Sequence, residues 1–295
     1  MESRSQGGQA SRVHKGRYSS TTRRENSTDP NFKNPKEMKY YYPFGEELKR
    51  VVQQDRTPKE VFVLGVYASA VHACWRKSGQ KRPVCTALAV ASEPRIFWDG
   101  NPIEAAEIIS RIKFPKELGI LEPADPRFNG PSAKVLDKHI LAPIGFARKD
   151  AWLCDLLPET RLNKSQIDAI KRAYLPEKEK CDLNEVTVPM RPSKFCDSER
   201  CNEIIAELEE SKAEMLVLLG DIPIKQFLNA VASVKYKTLQ EYKDLYGYGT
   251  LTDTIINGKR YKVLPLAHPR QIGGLGSHSS NWYDEHQKWE RHQLK

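Results

Sequence analysis

The 295-residue chain has no apolar run approaching the ~18–20 residues of a membrane-spanning helix. No membrane partner is expected. Its first twenty residues, MESRSQGGQASRVHKGRYSS, lack the apolar core of a secretory signal. The expected location is therefore cytoplasmic or nucleoid/nuclear, not secreted. None of the six cysteines (Cys74, Cys85, Cys154, Cys181, Cys196 and Cys201) stands in a C-x-x-C pair, the nearest two being those of CDSERC. Structural zinc and iron–sulfur sites normally show tighter paired spacing, so no metal and no cofactor are expected. Disulfides are not expected without a secretory context. There is no P-loop, no G-x-G-x-x-G and no internal repeat, which leaves out the commonest glycine-rich phosphate cradles.

What is present describes a globular protein with a charged fringe: 39% hydrophobic residues, 29% charged, and a net charge of +9. The charge is uneven. Residues 1–40 hold nine Lys/Arg against four Asp/Glu, more than half of the net excess. This Ser/Gly-rich, aromatic-poor segment cannot build a core and is expected to be a disordered basic tail. It is either a phosphate-binding arm that adds salt-sensitive affinity for nucleic acid or a solubilising tail. Residues 41–295 are expected to form a single domain.

Four apolar segments read as buried strands: EVFVLGVYA (60–68) running into a loop at Gly65, DAWLCDLLP (150–158), AEMLVLLGD (213–221) and KVLPLA (262–267). Between them lie helical patterns over 130–145, 199–213 and 222–234. The first puts Val135, Ile140 and Leu141 on one face, and the second Ile204, Ile205 and Leu208. Residues 79–99 read as an extra strand pair or an excursion, and 164–200, charged and Pro-containing, as a surface insertion. Strands alternating with amphipathic helices predict an α/β domain with a mainly parallel sheet. Ligands of such sheets sit at the carboxyl ends of strands, where Gly65, Asp155, Gly220 and His268 all fall.

Taken in order, LGVYASA, PRFNGPSAKVLDKHILAPIGFARKDAWLCDLLPETRLN, MLVLLGDIPIKQFL and VLPLAHPRQIGGLG resemble the four elements of the uracil-DNA glycosylase superfamily. The resemblance covers about residues 60–285 and is closest to the thermophile-type and single-strand-selective branches. It implies a three-layer α/β/α fold on a mainly parallel four-stranded central sheet. It also implies hydrolysis of the N-glycosidic bond of a flipped uracil or other deaminated or modified base in base excision repair. The implied partner is DNA, double- or single-stranded, bound by a monomer. The resemblance makes Phe128 the aromatic that stacks on the flipped base, Asp155 the reader of its edge, and His268 the group that stabilises the departing base. Ile272 or Leu275 is then the wedge into the helix, with Arg270 and Gln271 on the DNA and Arg270 suited to a phosphate.

Two positions depart from the family pattern. The acid that usually follows the first glycine is replaced in the run Gly65–Ser69, where Tyr67 stands near its place. A phenol with a pKa near ~10 is a poor general base, and Ser69 is either a water-positioning group or a local turn residue. Asp155 stands where an Asn amide is usual. Ionised, it only accepts hydrogen bonds. Either uracil is not the preferred base or Asp155 stays protonated in a dry pocket; a register shift would instead put Cys154 or Leu156 there. A catalytically weak relative that binds DNA or a modified base, and an unrelated α/β enzyme, remain as alternative readings.

Overall fold

Gly65 lies inside the first strand rather than at its end. In the computed structural model, which describes residues 39–274 and 280–293, β1 (Val61–Tyr67) continues two residues past it. Only Ala68 and Ser69 then separate it from β2 (Ala70–Arg76). The glycine loop expected at 65–69 is absent. Val66 and Tyr67 favour extended backbone, and a glycine inside a strand marks a close approach instead of a stop. The remaining strands are β3 (Cys85–Ser92), β4 (Ile120–Pro123), β5 (Ala151–Leu157), β6 (Met215–Leu219), β7 (Thr252–Ile256) and β8 (Lys259–Leu266).

The main sheet has the order β5–β1–β6–β8–β7. The first four strands are mutually parallel and β7 returns antiparallel along the edge of β8, so the sheet has five strands where four were expected. The extra strand comes from TDTII, which Asn257-Gly258 turns back onto KRYKVLPL. All of Val61–Val66 is buried, as a central parallel strand covered on both faces requires. The helix Ser198–Ser211 starts at Asp197, whose carboxylate accepts Arg200 N–H over 2.8 Å, and buries Ile204 and Leu208. The result is an α/β fold on a mainly parallel five-stranded sheet.

A second sheet, β3–β2–β4, is antiparallel and has its own core of Tyr42, Phe44, Trp75, Trp98 and Tyr174. The segment 164–200 is not a mere surface insertion. Its helix Lys164–Ala169 continues through Tyr174 and drives Ile170, Ala173 and Tyr174 into this second core. Further on, Phe195 and Cys196 join the main one. The many charges occupy the other side of an amphipathic helix. Residues 1–38, most of the basic tail, lie outside the described residues, as does Leu275. Among the described residues no helix is long and apolar enough to cross a membrane.

In chain order the parallel strands run second, first, third, fourth across the sheet. The chain leaves β1 toward one edge and leaves β6 toward the other. This places a topological switch between β1 and β6, the position where open α/β sheets form a crevice at their carboxyl ends.

Candidate active site

Next to this switch point, on the β5 side of β1, Gly65 faces Asp155 across the β1–β5 pairing. A Cβ on Gly65 would collide with the Asp155 carboxyl Oδ1 and lie 2.8 Å from Phe97 Cζ. No side chain other than hydrogen fits. Phe97 has a left-handed backbone (φ 48°), costly for an aromatic residue. It is held there from both sides: Arg148 Nη1 donates to its carbonyl over 2.8 Å, and the next N–H, of Trp98, donates to Glu93 over 3.3 Å. The backbone is bent to present this ring to Gly65 and Asp155.

Two acids are buried here. Asp155 is 4% exposed and Glu93, at the exit of β3, is 5% exposed. Burial and the neighbouring Glu93 charge push the Asp155 carboxyl well above the usual carboxylate range, against a smaller opposing pull from Arg200. Glu93 is raised to about 7, chiefly by burial; its bonds from Ser69 and Trp98 N–H and the fields of Arg148 and Arg95 oppose the shift. Two carboxyls this close disfavour joint ionisation. Asp155 is therefore held toward the neutral acid, with one O–H donor and one carbonyl acceptor. Its backbone carbonyl accepts Arg200 Nη2 over 2.7 Å, which fixes the strand behind it.

His268 caps the short helix Pro269–Ile272. Its Nδ1 accepts the Arg270 N–H over 3.1 Å, and Gln271 Oε1 accepts the His268 N–H over 3.3 Å. Because Nδ1 is the acceptor, the ring proton sits on Nε2, leaving an N–H donor to offer a ligand. Burial, then the charges of Arg270 and Arg191, lower the imidazole pKa to about 4, so the ring stays neutral at physiological pH. Gly220, at the exit of β6, has the left-handed φ of 86° that favours glycine, and an added Cβ would press on His268 Cβ at 3.3 Å.

The remaining expected residues divide. Tyr67 lies in the field of Arg191, Arg270 and Asp155, but burial raises its phenol pKa, so it holds its proton more tightly than a free tyrosine. Its ring stacks on Phe195 at 5.9 Å, with Arg191 over both rings at 5.5 and 5.6 Å. Arg270 is exposed. The Gln271 side chain is engaged in the cap, and Ile272, 2% exposed, packs into the main core instead of offering a wedge. Phe128 is not the ring at the Gly65–Asp155 pair. It sits on the turn after Asp125, 41% exposed, with Arg127 6.0 Å from its centroid. Ser69 is exposed and contributes its backbone: its N–H donates to Glu93 over 3.0 Å and its carbonyl accepts Thr160 Oγ1 over 2.6 Å.

Sequence reading missed Glu93, Phe97, Arg191 and Phe195. A signal for the first two exists in ASEPRIFWDG, where a lone acid ends an apolar strand just before an aromatic pair. Among the described residues no group of three or more His, Cys, Asp or Glu side chains is placed to hold a metal ion. No protein-family model matches the chain, and no curated protein matches it.

Proposed function

We propose that this chain is a DNA glycosylase that hydrolyses the N-glycosidic bond of a flipped, deaminated or otherwise modified base, on a three-layer uracil-DNA glycosylase-like scaffold. One observation carries the reading: a neutral His268 with its proton on Nε2, at the same sheet end as the Gly65–Asp155–Phe97 cluster. As the glycosidic bond stretches, negative charge develops on the base. A preorganised donor aimed there acts on the transition state more than on the ground state. A neutral imidazole gives that hydrogen bond without surrendering its proton.

Phe97, rather than Phe128, is the aromatic set against Gly65, beside Asp155. Asp155 in its neutral form offers a donor and an acceptor side by side, the pattern that an amide offers. That pattern complements the N3–H and O4 of uracil and the N1–H and O6 of hypoxanthine or xanthine. The Asp in place of Asn is thereby compatible with a deaminated base. Arg270, exposed at the rim, suits a backbone phosphate.

The second reading, a binding module without catalysis, is favoured by Tyr67 standing near the usual acid position. The two separate in one assay. Oligonucleotides carrying uracil, hypoxanthine, xanthine or hydroxymethyluracil are incubated with the protein and treated with alkali to cut abasic sites. Scission that is lost in His268→Ala supports the glycosylase. Retained DNA binding with no scission on any substrate supports the binding module.

A further inference from the structure

We infer that Glu93 supplies the acid absent from the chain's first motif and takes the proton from the water that attacks the sugar. The inference rests on the glycosylase reading and adds a catalytic residue to it.

The geometry starts from the two-residue connection between β1 and β2. The Ser69 N–H of that connection donates to Glu93 Oε1 over 3.0 Å, and Trp98 N–H donates to Oε2 over 3.3 Å. One backbone bond to each oxygen fixes the carboxyl plane and leaves lone pairs for a further donor. Among the described residues Glu93 has no ion-pair partner, although it is 5% exposed. Nearby arginines are committed elsewhere: Arg95 to Asp99 and Glu104, Arg148 to Asp137. A buried acid without an ion pair is costly to keep, and such costs concentrate at functional sites.

The surroundings are those of the proposed pocket. Phe97, one residue before Trp98, rests on Gly65, and the Glu93 charge acts on the Asp155 carboxyl. The chain has thus replaced a first-motif acid by one that reaches the same connection from β3. The groups that face Glu93 are Asp155 on β5, Arg148 just before β5, Arg95 on its own loop and Tyr42 from the N-terminal part of the fold. Asp155, pushed further toward its neutral form, takes the base edge. Glu93 is left to ionise near neutrality, where a general base is most effective.

The water oxygen bonds to C1′ and the C1′–N bond breaks. Its electron pair leaves with the base, which the His268 Nε2–H stabilises. The water proton passes to Glu93, and from there to the departed base or to solvent. The products are the free base and an abasic sugar.

The test is single-turnover cleavage by wild-type protein and Glu93→Gln from pH 5 to 9, on whichever of the four modified oligonucleotides the wild type cleaves. Affinity is measured with the matching 2′-fluoro oligonucleotide, which resists cleavage. The expected result is a loss of about 10²–10⁴-fold in rate with affinity retained. The wild-type rate should rise about tenfold per pH unit up to about pH 7, and the rise should vanish in the variant. A purely structural Glu93 would not move that profile. An unchanged rate and profile in Glu93→Gln overturns this role while leaving the glycosylase standing. A wild type inactive on all four substrates overturns both. Should Glu93→Gln fail to fold, the wild-type profile decides: a rate flat between pH 5 and 8 overturns the role.

Discussion

The Tyr248 hydroxyl accepts the backbone N–H of Ala267 over 3.0 Å, one residue before His268. The same hydroxyl donates to His286 Nδ1 over 2.7 Å, and His286 Nε2–H donates to the His139 carbonyl over 2.7 Å. His286 is buried and Tyr248 is partly buried against the main core. This relay ties the exit of β8 to the helix Ser280–Gln293 and to the segment after Pro131–Val135. Those two helices also pack against the short helix that His268 caps. The position of the imidazole is thus set by contacts made well away from it.

Tyr248→Phe removes both bonds and leaves the Ala267 N–H and His286 Nδ1 without partners. Each buried orphan costs about 1–3 kcal/mol. Thermal unfolding should show a Tm lowered by several degrees, and cleavage should lose kcat with little change in KM. An unaltered Tm would contradict the relay.

Gly65→Ala places a methyl group against the Asp155 carboxyl and the Phe97 ring. Overpacking of this kind costs about 1–3 kcal/mol. The variant should fold with a lowered Tm and lose base recognition, because both groups must shift. Cleavage at the wild-type rate would show that the close approach is incidental.

His268→Gln keeps a polar side chain but replaces the fixed Nε2–H with a mobile amide. A loss of about 10²–10³-fold in kcat is expected, the magnitude of one preorganised donor. Because burial and the two arginine charges lower the imidazole pKa to about 4, wild-type activity should show no loss assignable to imidazole protonation between pH 8 and 6.

Glu93 also links stability to pH. Its folded pKa, about 7, lies above the ordinary 4.5, so the folded state binds the proton more tightly than the unfolded chain. The resulting stabilisation is complete below about pH 4.5 and disappears as pH rises through about 7. Wild type should therefore lose about 3 kcal/mol relative to Glu93→Gln across that window, read as converging denaturation midpoints. Parallel midpoints would place the Glu93 pKa at its ordinary value.

The parallel strands were legible because their residues are apolar on both faces: FVL, WLC, LVL and VLPL each declare a buried strand without reference to the rest. His268 was legible for the same reason, since VLPLA delivers it to the sheet's carboxyl end. Gly65 was misread as a stop because the reason for it is spatial: Asp155 lies ninety residues away. Phe97 and Glu93 escaped because they follow β3, a strand of the second sheet, and no local pattern announces that this loop returns to Gly65 and Ser69. Ile272 looked like a wedge because an apolar residue in a glycine-rich loop reads as exposed, whereas the short helix turns it into the core.

The most direct measurement is detection of the free base itself. Wild-type protein is incubated with duplex and single-stranded oligonucleotides carrying uracil, hypoxanthine or xanthine. The small-molecule fraction is then analysed by mass spectrometry, and the strand is probed for abasic aldehyde. The account predicts stoichiometric release of at least one of these bases with an equal yield of abasic sites, both abolished in His268→Ala. Binding to the oligonucleotides with no base released and no aldehyde formed would contradict it.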